Sequence, residues 1–190
     1  MGNKKDVEKL IFIALLVALS VVLGIVDTFL SSFVSAQGVR IGLANIVILT
    51  GLYYLNFRES LLLIILKSLL TGLLLGNPMI FSIGFSGTLL SFLIMYGLLH
   101  CAKKMVSLTG VSIAGGIGHN IGQVIALFFY WGITVVFSLF WLIPIGIGTG
   151  IFVGSVVSVL RGYLNKGQVF KSITQTEDNK ITLEQLINEE

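Results

Sequence analysis

Apolar residues gather in six stretches, at 10–26, 41–57, 60–75, 79–99, 111–132 and 139–160, separated by short polar or charged breaks. Each lies near the roughly 17–25 residues a helix needs to cross about 30 Å of hydrocarbon. The pattern predicts an all-α fold of six transmembrane helices, with the third span, the shortest, leaning on its flanks. Lys4, Lys5 and Lys9 precede span 1, Arg58 joins spans 2 and 3, and Lys103 and Lys104 join spans 4 and 5. Arg161, Lys166, Lys171 and Lys180 follow span 6. Ten of the twelve Lys and Arg residues therefore fall on one side of a six-span topology. By the positive-inside rule that side, with both termini, is cytoplasmic. Five or seven spans scramble this alternation. Arg40 and Lys67 alone escape it and need another explanation.

Composition agrees with the pattern. Charged residues make up 11%, apolar ones 55%, and the mean hydropathy is +0.99, against about a quarter charged in a soluble domain. Residues 1–165 are expected to form one membrane domain, with no room for a soluble catalytic one. Residues 166–190 read as a polar, acidic, flexible cytoplasmic tail. The net charge of +3 comes from the cytoplasmic flanks and reports topology and contact with anionic lipid, not nucleic-acid binding. The lone Cys101 can form no internal disulfide and has no neighbouring metal ligands, so neither a metal nor a cofactor is expected. A basic start, an apolar run and Val34-Ser35-Ala36 imitate a signal peptide. The run is long for that role and Asp27 separates it from the cleavage-like site, which favours a retained helix.

Membrane helices associate through small residues and interhelical hydrogen bonds. In span 6, Gly146, Gly150, Gly154, Ser158 and Gly162 recur every four residues and predict close approach of a neighbour. Pro144 is expected to kink that helix or sit in its first turns. Phe128, Phe129, Tyr130, Trp131, Phe140 and Trp141 read as the outer aromatic belt, and Tyr53, Tyr54, Tyr96 and Tyr163 as the inner one. Ala14 and Ala18 lie one turn apart on one face of span 1. That spacing alone fits ordinary packing within the bundle.

Intramembrane polar groups are costly, so each is a candidate for function. Asp27 is placed at the end of span 1 and Arg40 at the mouth of span 2, with Asn45 one turn below. Lys67 lies deep in span 3. His119, Asn120 and Gln123 lie in span 5, His119 and Gln123 sharing a face. The bland alternative is interhelical bonding, with Asp27 paired to Arg40 and the amides tied to neighbouring backbone. No acidic residue within the spans is available to neutralise Lys67. Cationic and protonatable groups outnumber carboxylates here, which suggests a small-molecule ligand with an anionic or carbonyl-rich part. The connection 28–39 is long and half apolar, suited to covering such a pocket.

The run Gly38-Val39-Arg40-Ile41-Gly42-Leu43-Ala44-Asn45-Ile46 resembles the GxxxGLANI block of the Gx transporter family, often labelled heptaprenyl diphosphate synthase component I. His119-Asn120-Ile121-Gly122-Gln123 resembles its HNxGQ block. The likeness covers about residues 8–165. Two departures stand out: Asp27 where a Glu is common, and Lys67 where Arg is usual, which keep the charge but change reach and geometry. That family is similar to the substrate-binding S components of energy-coupling factor (ECF) transporters. The resemblance implies an S-component-like bundle in a bacterial plasma membrane. It also implies that the Ala14–Ala18 face of helix 1 docks on a shared coupling subunit, which works with ATPase subunits.

Two functions follow as expectations. One is a substrate-binding subunit of an uptake transporter that captures a small ligand from outside, is not itself an enzyme, and takes its energy in trans. No Walker A sequence is present. The other, suggested by the family label, is a membrane subunit associated with polyprenyl diphosphate or isoprenoid-quinone synthesis. Prenyl synthases hold magnesium diphosphate with aspartate-rich clusters, since that ion needs hard oxygen ligands. The adjacent acidic pairs here, Glu177-Asp178 and Glu189-Glu190, both lie in the tail. On this reading too the chain alone is non-catalytic. A stand-alone carrier would call for an internal two-fold repeat, and none is visible.

Overall fold

A computed structural model describes residues 4–34, 40–101 and 106–164. The acidic tail, Lys103, Lys104 and residues 35–39 lie outside the described residues. The chain forms α1 (Lys4–Val34), α2 (Asn45–Tyr54), α3 (Phe57–Leu74), α4 (Pro78–Cys101) and α5 (Leu108–Trp131). A 3-10 helix, η1 (Gly132–Ser138), then leads into α6 (Leu139–Leu164). Among the described residues the fold is wholly helical. Three stretches are long and apolar enough to cross a membrane: Val7–Phe33, Pro78–Cys101 and Leu108–Tyr163. The last runs for 56 residues and contains α5, η1 and α6. The protein is thus a helical, membrane-associated one.

Two elements differ from the sequence expectation. α1 does not stop near Asp27 but continues for about two more turns, to Val34. Half of the expected loop 28–39 is therefore helix. Thr28 and Ser32 are absorbed into it by donating to the carbonyls of Gly24 (2.8 Å) and Phe29 (2.6 Å), so their hydroxyls do not break the ladder. α2 is shorter than the apolar run 41–57. Its 10 residues reach about 15 Å at 1.5 Å per residue, half the hydrocarbon thickness. Residues 40–42 precede it as irregular chain, followed by a turn at Leu43 and Ala44. Gly42 there adopts φ +100°, a conformation that side chains with a Cβ rarely enter. Non-helical backbone is tolerated at membrane depth when protein buries it, and Arg40 and Asn45, flanking this segment, are both buried.

Local chemistry sets the other boundaries. Glu59 of α3 accepts from the Asn56 amide at 2.9 Å. At the far end Gly76 takes φ +62°, with Gly76 N donating to Leu73 O and Asn77 N to Gly72 O at 3.1 and 3.2 Å. That is the Schellman arrangement, which satisfies otherwise orphaned carbonyls. Ser107 caps α5, its Oγ accepting from Gly110 N at 3.1 Å. Pro144 sits inside α6, in its second turn.

α5 is the centre of the bundle, packed on α4 along one side and α6 along the other. A Cβ built on Gly122 would stand 2.5 Å from Ser86 O on α4, and one on Gly150 would stand 2.5 Å from Ile113 Cα on α5. Such contacts cannot be relieved by a side-chain rotation, so these helices meet backbone to backbone. Of the small-residue stripe in α6, Gly146, Gly150 and Gly154 face α5, whereas Gly162 meets nothing within 4 Å.

Opposite charges collect at one end. Lys9 on α1 pairs with Glu59 at the start of α3 at 2.6 Å. Arg161 near the end of α6 lies over the Tyr53 ring, 5.9 Å from its centroid. Tyr53 and Tyr54 are buried in the core, unlike the interfacial role expected of them. Phe129, Trp131, Phe140 and Trp141 are exposed, as a belt requires.

Candidate ligand site

The seven polar residues singled out from the sequence all point inward: Asp27, Arg40, Asn45, Lys67, His119, Asn120 and Gln123 are each at most 4% exposed. They come from α1, the irregular segment before α2, the first residue of α2, α3 and α5. Arg40 and Lys67 each lie within Coulombic reach of Asp27 and of His119.

Asp27 is not paired with Arg40, contrary to the bland expectation. Its Oδ1 accepts from Ile41 N at 3.0 Å and its Oδ2 from Gly42 N at 2.9 Å. Ser31, one turn further along α1, also accepts from Ile41 N, at 3.1 Å. The reason is the unwound backbone. Amides freed from any helix ladder need acceptors when buried, and a carboxylate supplies strong ones. Ser31 was not recognised from the sequence, although its i+4 spacing from Asp27 put both on one face.

Gln123 does the matching work from α5. Its Oε1 accepts from Arg40 N at 2.6 Å and its Nε2 donates to Arg40 O at 2.8 Å. The side-chain amide thus clasps the Arg40 peptide as a neighbouring strand would. Asn120 links onward, accepting from Gln123 Nε2 at 3.3 Å and donating to Leu142 O on α6 at 2.5 Å. The Arg40 guanidinium donates from Nη2 to Ile80 O at 3.2 Å. It lies over Gly84, where a Cβ would come within 2.5 Å of Nη1. Glycine at 84 and 42 is therefore part of the site, a role the sequence did not reveal.

The remaining polar groups are different. Neither His119 nitrogen has a hydrogen-bond partner, nor does Asn45 Oδ1. The His119 ring lies beside the Gly87 backbone without hydrogen-bond geometry. It also neighbours Gly42, whose built Cβ would stand 3.2 Å from both His119 Cδ2 and Asn45 Nδ2. Lys67 Nζ makes no hydrogen bond or ion pair among the described residues. Buried polar atoms nearly always have partners. Among the described residues no group of His, Cys, Asp and Glu is placed to hold a metal ion.

A second feature lies apart from this cluster. Ile121, Val124, Ile125, Phe128, Phe129, Val136 and Leu139 line an open apolar groove of about 250 Å³ where α5, η1 and α6 meet.

Together these features define a helical membrane protein with a polar, charged centre built around one unwound segment. The family model described as heptaprenyl diphosphate synthase component I matches residues 16–160, and the chain belongs to that family. No curated protein and no solved structure matches it significantly.

Proposed function

We propose that this chain is the membrane-embedded substrate-binding subunit of an uptake transporter. Six segments cross the membrane, α2 doing so together with the irregular residues 40–44, with both termini in the cytoplasm, and the chain captures a small ligand from outside. Separate coupling and ATPase subunits supply the energy, and the chain itself catalyses nothing. One observation carries the reading: the His119 nitrogens and Asn45 Oδ1 are buried at the bundle centre without a protein partner, and the buried Lys67 makes no ion pair among the described residues. Several buried hydroxyls, those of Ser20, Tyr53, Ser60, Ser68, Ser91 and Ser112, also lack a partner, but only the cluster adds charge to unmet hydrogen bonding. In this division of labour Asp27, Gln123 and Asn120 hold the 40–44 segment, while Lys67, His119, Asn45 and Arg40 face the ligand.

Docking on a coupling subunit is supported by α1. Ala14 and Ala18 are both exposed, so neither is used in packing within this chain. Bulky replacement there should prevent close helix approach and leave the fold alone. Purified from native membranes, the wild-type protein should bring coupling and ATPase subunits with it, and Ala14→Trp with Ala18→Trp should lose them. Retention of those subunits by the double variant would refute the docking assignment.

A second reading draws on the family name and the apolar groove. A membrane subunit associated with polyprenyl diphosphate synthesis needs a surface for an isoprenoid chain, and the wholly apolar lining beside Phe128 and Phe129 suits one. The same purification separates the two readings, because a prenyl synthase would then be recovered in place of the ATPase.

A further inference from the structure

Resting on the reading of the cluster as a ligand site, we infer that its ligand is a monoanionic oxyacid that retains an O–H or N–H donor, and that Asn45 selects for that donor. Two independent counts lead there.

The first is charge. Arg40 and Lys67 contribute two formal positive charges and Asp27 one negative, all buried and mutually close. With His119 neutral the cluster carries a net charge of +1. An uncompensated buried charge is expensive, and the described residues around Lys67 offer it no ion pair. One negative charge on the ligand completes the balance.

The second is hydrogen bonding. Asn45 Oδ1 can only accept, and it is unpartnered. A neutral imidazole has one donor and one acceptor nitrogen, and both His119 nitrogens are unpartnered. Lys67 can only donate. The open positions therefore comprise donors from Lys67 and His119 and acceptors from Asn45 and His119. An anion without hydrogen satisfies the donors and leaves both acceptors buried and bare. In the structure no protein donor reaches Asn45 Oδ1 or a His119 nitrogen, and Gln123 and Asn120 are committed to backbone or to each other. One Arg40 N–H is directed at Ile80 O. A ligand that brings the hydrogen meets both acceptors.

Sites built to hydrogen-bond a substrate hydroxyl reject analogues lacking it, because the polar groups are left unpaired. The test uses two probe pairs on the full chain in lipid nanodiscs, read by calorimetry and ligand-induced thermal stabilisation. Dihydrogen phosphate, at mildly acid pH, is set against methanesulfonate, and glycolate against acetate, so that both members of each pair are monoanions. The donor-bearing member should bind about tenfold or more tightly in at least one pair, the usual scale for one unsatisfied buried acceptor. Asn45→Leu should erase most of that preference while keeping affinity for the donor-free member, and Lys67→Met should weaken both members. Equal binding within both pairs, tighter binding of methanesulfonate and acetate, or no binding of any of the four probes overturns the inference. Should Asn45→Leu fail to fold, the wild-type comparison still decides. These outcomes do not depend on coupling subunits, so the transporter reading can fail in the purification experiment without touching this one.

Discussion

His119 and Gln123 stand one turn apart on the same face of α5, both buried, and chemically they do opposite things. Gln123 spends both ends of its amide on the Arg40 peptide, whereas His119 bonds to nothing in the protein. Gln123→Leu would strand a buried N–H and C=O on Arg40 as well as removing a side-chain partner of Asn120. At about 1–3 kcal/mol per unsatisfied buried group, the fold should lose roughly 2–5 kcal/mol. His119→Phe strands no partner and should cost less than about 1 kcal/mol. Unfolding of the two variants in detergent or nanodiscs checks the order; a His119→Phe protein less stable than Gln123→Leu would make the histidine structural. The set of buried polar residues was legible in the sequence, because hydrocarbon makes each one conspicuous. Their partners were not. Asp27 and Arg40 are opposite charges at neighbouring positions and invite pairing, yet the carboxylate is used by the amides of Ile41 and Gly42. That choice depends on residues 40–42 standing outside any helix, which side-chain chemistry alone does not announce.

At the scale of elements, hydropathy located the six α-helices, did not anticipate η1 and misjudged two lengths. An apolar run reads the same whether its backbone is helical or irregular, so 41–57 concealed the four non-helical residues before α2. Conversely, 28–34 lay beyond the apolar run and Asp27 and read as part of a connection, although Thr28 and Ser32 bond back to the helix they belong to. Glycine spacing was more informative where a neighbour exists. A Cβ on Gly150 would face Ile113 Cα and N at 2.5 and 2.9 Å, and one on Gly162 would face open space. Gly150→Leu should therefore force α5 and α6 apart and cost about 1–3 kcal/mol or more, the scale of overpacking. Gly162→Leu should stay within about 0.5 kcal/mol of wild type. Thermal unfolding of both variants tests the distinction; equal effects would mean that the stripe does not mark the α5–α6 contact.

For the whole molecule the question is which way the bundle sits. Lys9, Arg58 and Arg161 lie at the end where α1 and α3 begin and α6 ends, with Lys9 tied to Glu59 and Arg161 over Tyr53. Arg40 is at the other end, against Ile80 and Gly84 near the start of α4. Among the described residues these three charges that follow the positive-inside rule thus share one end of the fold, and the two cations that break it, Arg40 and Lys67, belong to the ligand cluster. If that end is cytoplasmic, the unwound segment 40–44 and the cluster beneath it open toward the outside, as ligand capture demands. Cys101, the only cysteine, is exposed at the end of α4 and is a native reporter. A membrane-impermeant maleimide should label it in inside-out vesicles and leave it unlabelled in intact cells. In a Cys101→Ser background, Asn77→Cys, after α3, and Thr134→Cys, in η1, should behave in the opposite way, both positions being exposed. Labelling of Cys101 from outside would invert the bundle. Lys67 and His119 would then be reached from the cytoplasm, and uptake as the direction of transport would have to be given up even if the ligand chemistry held.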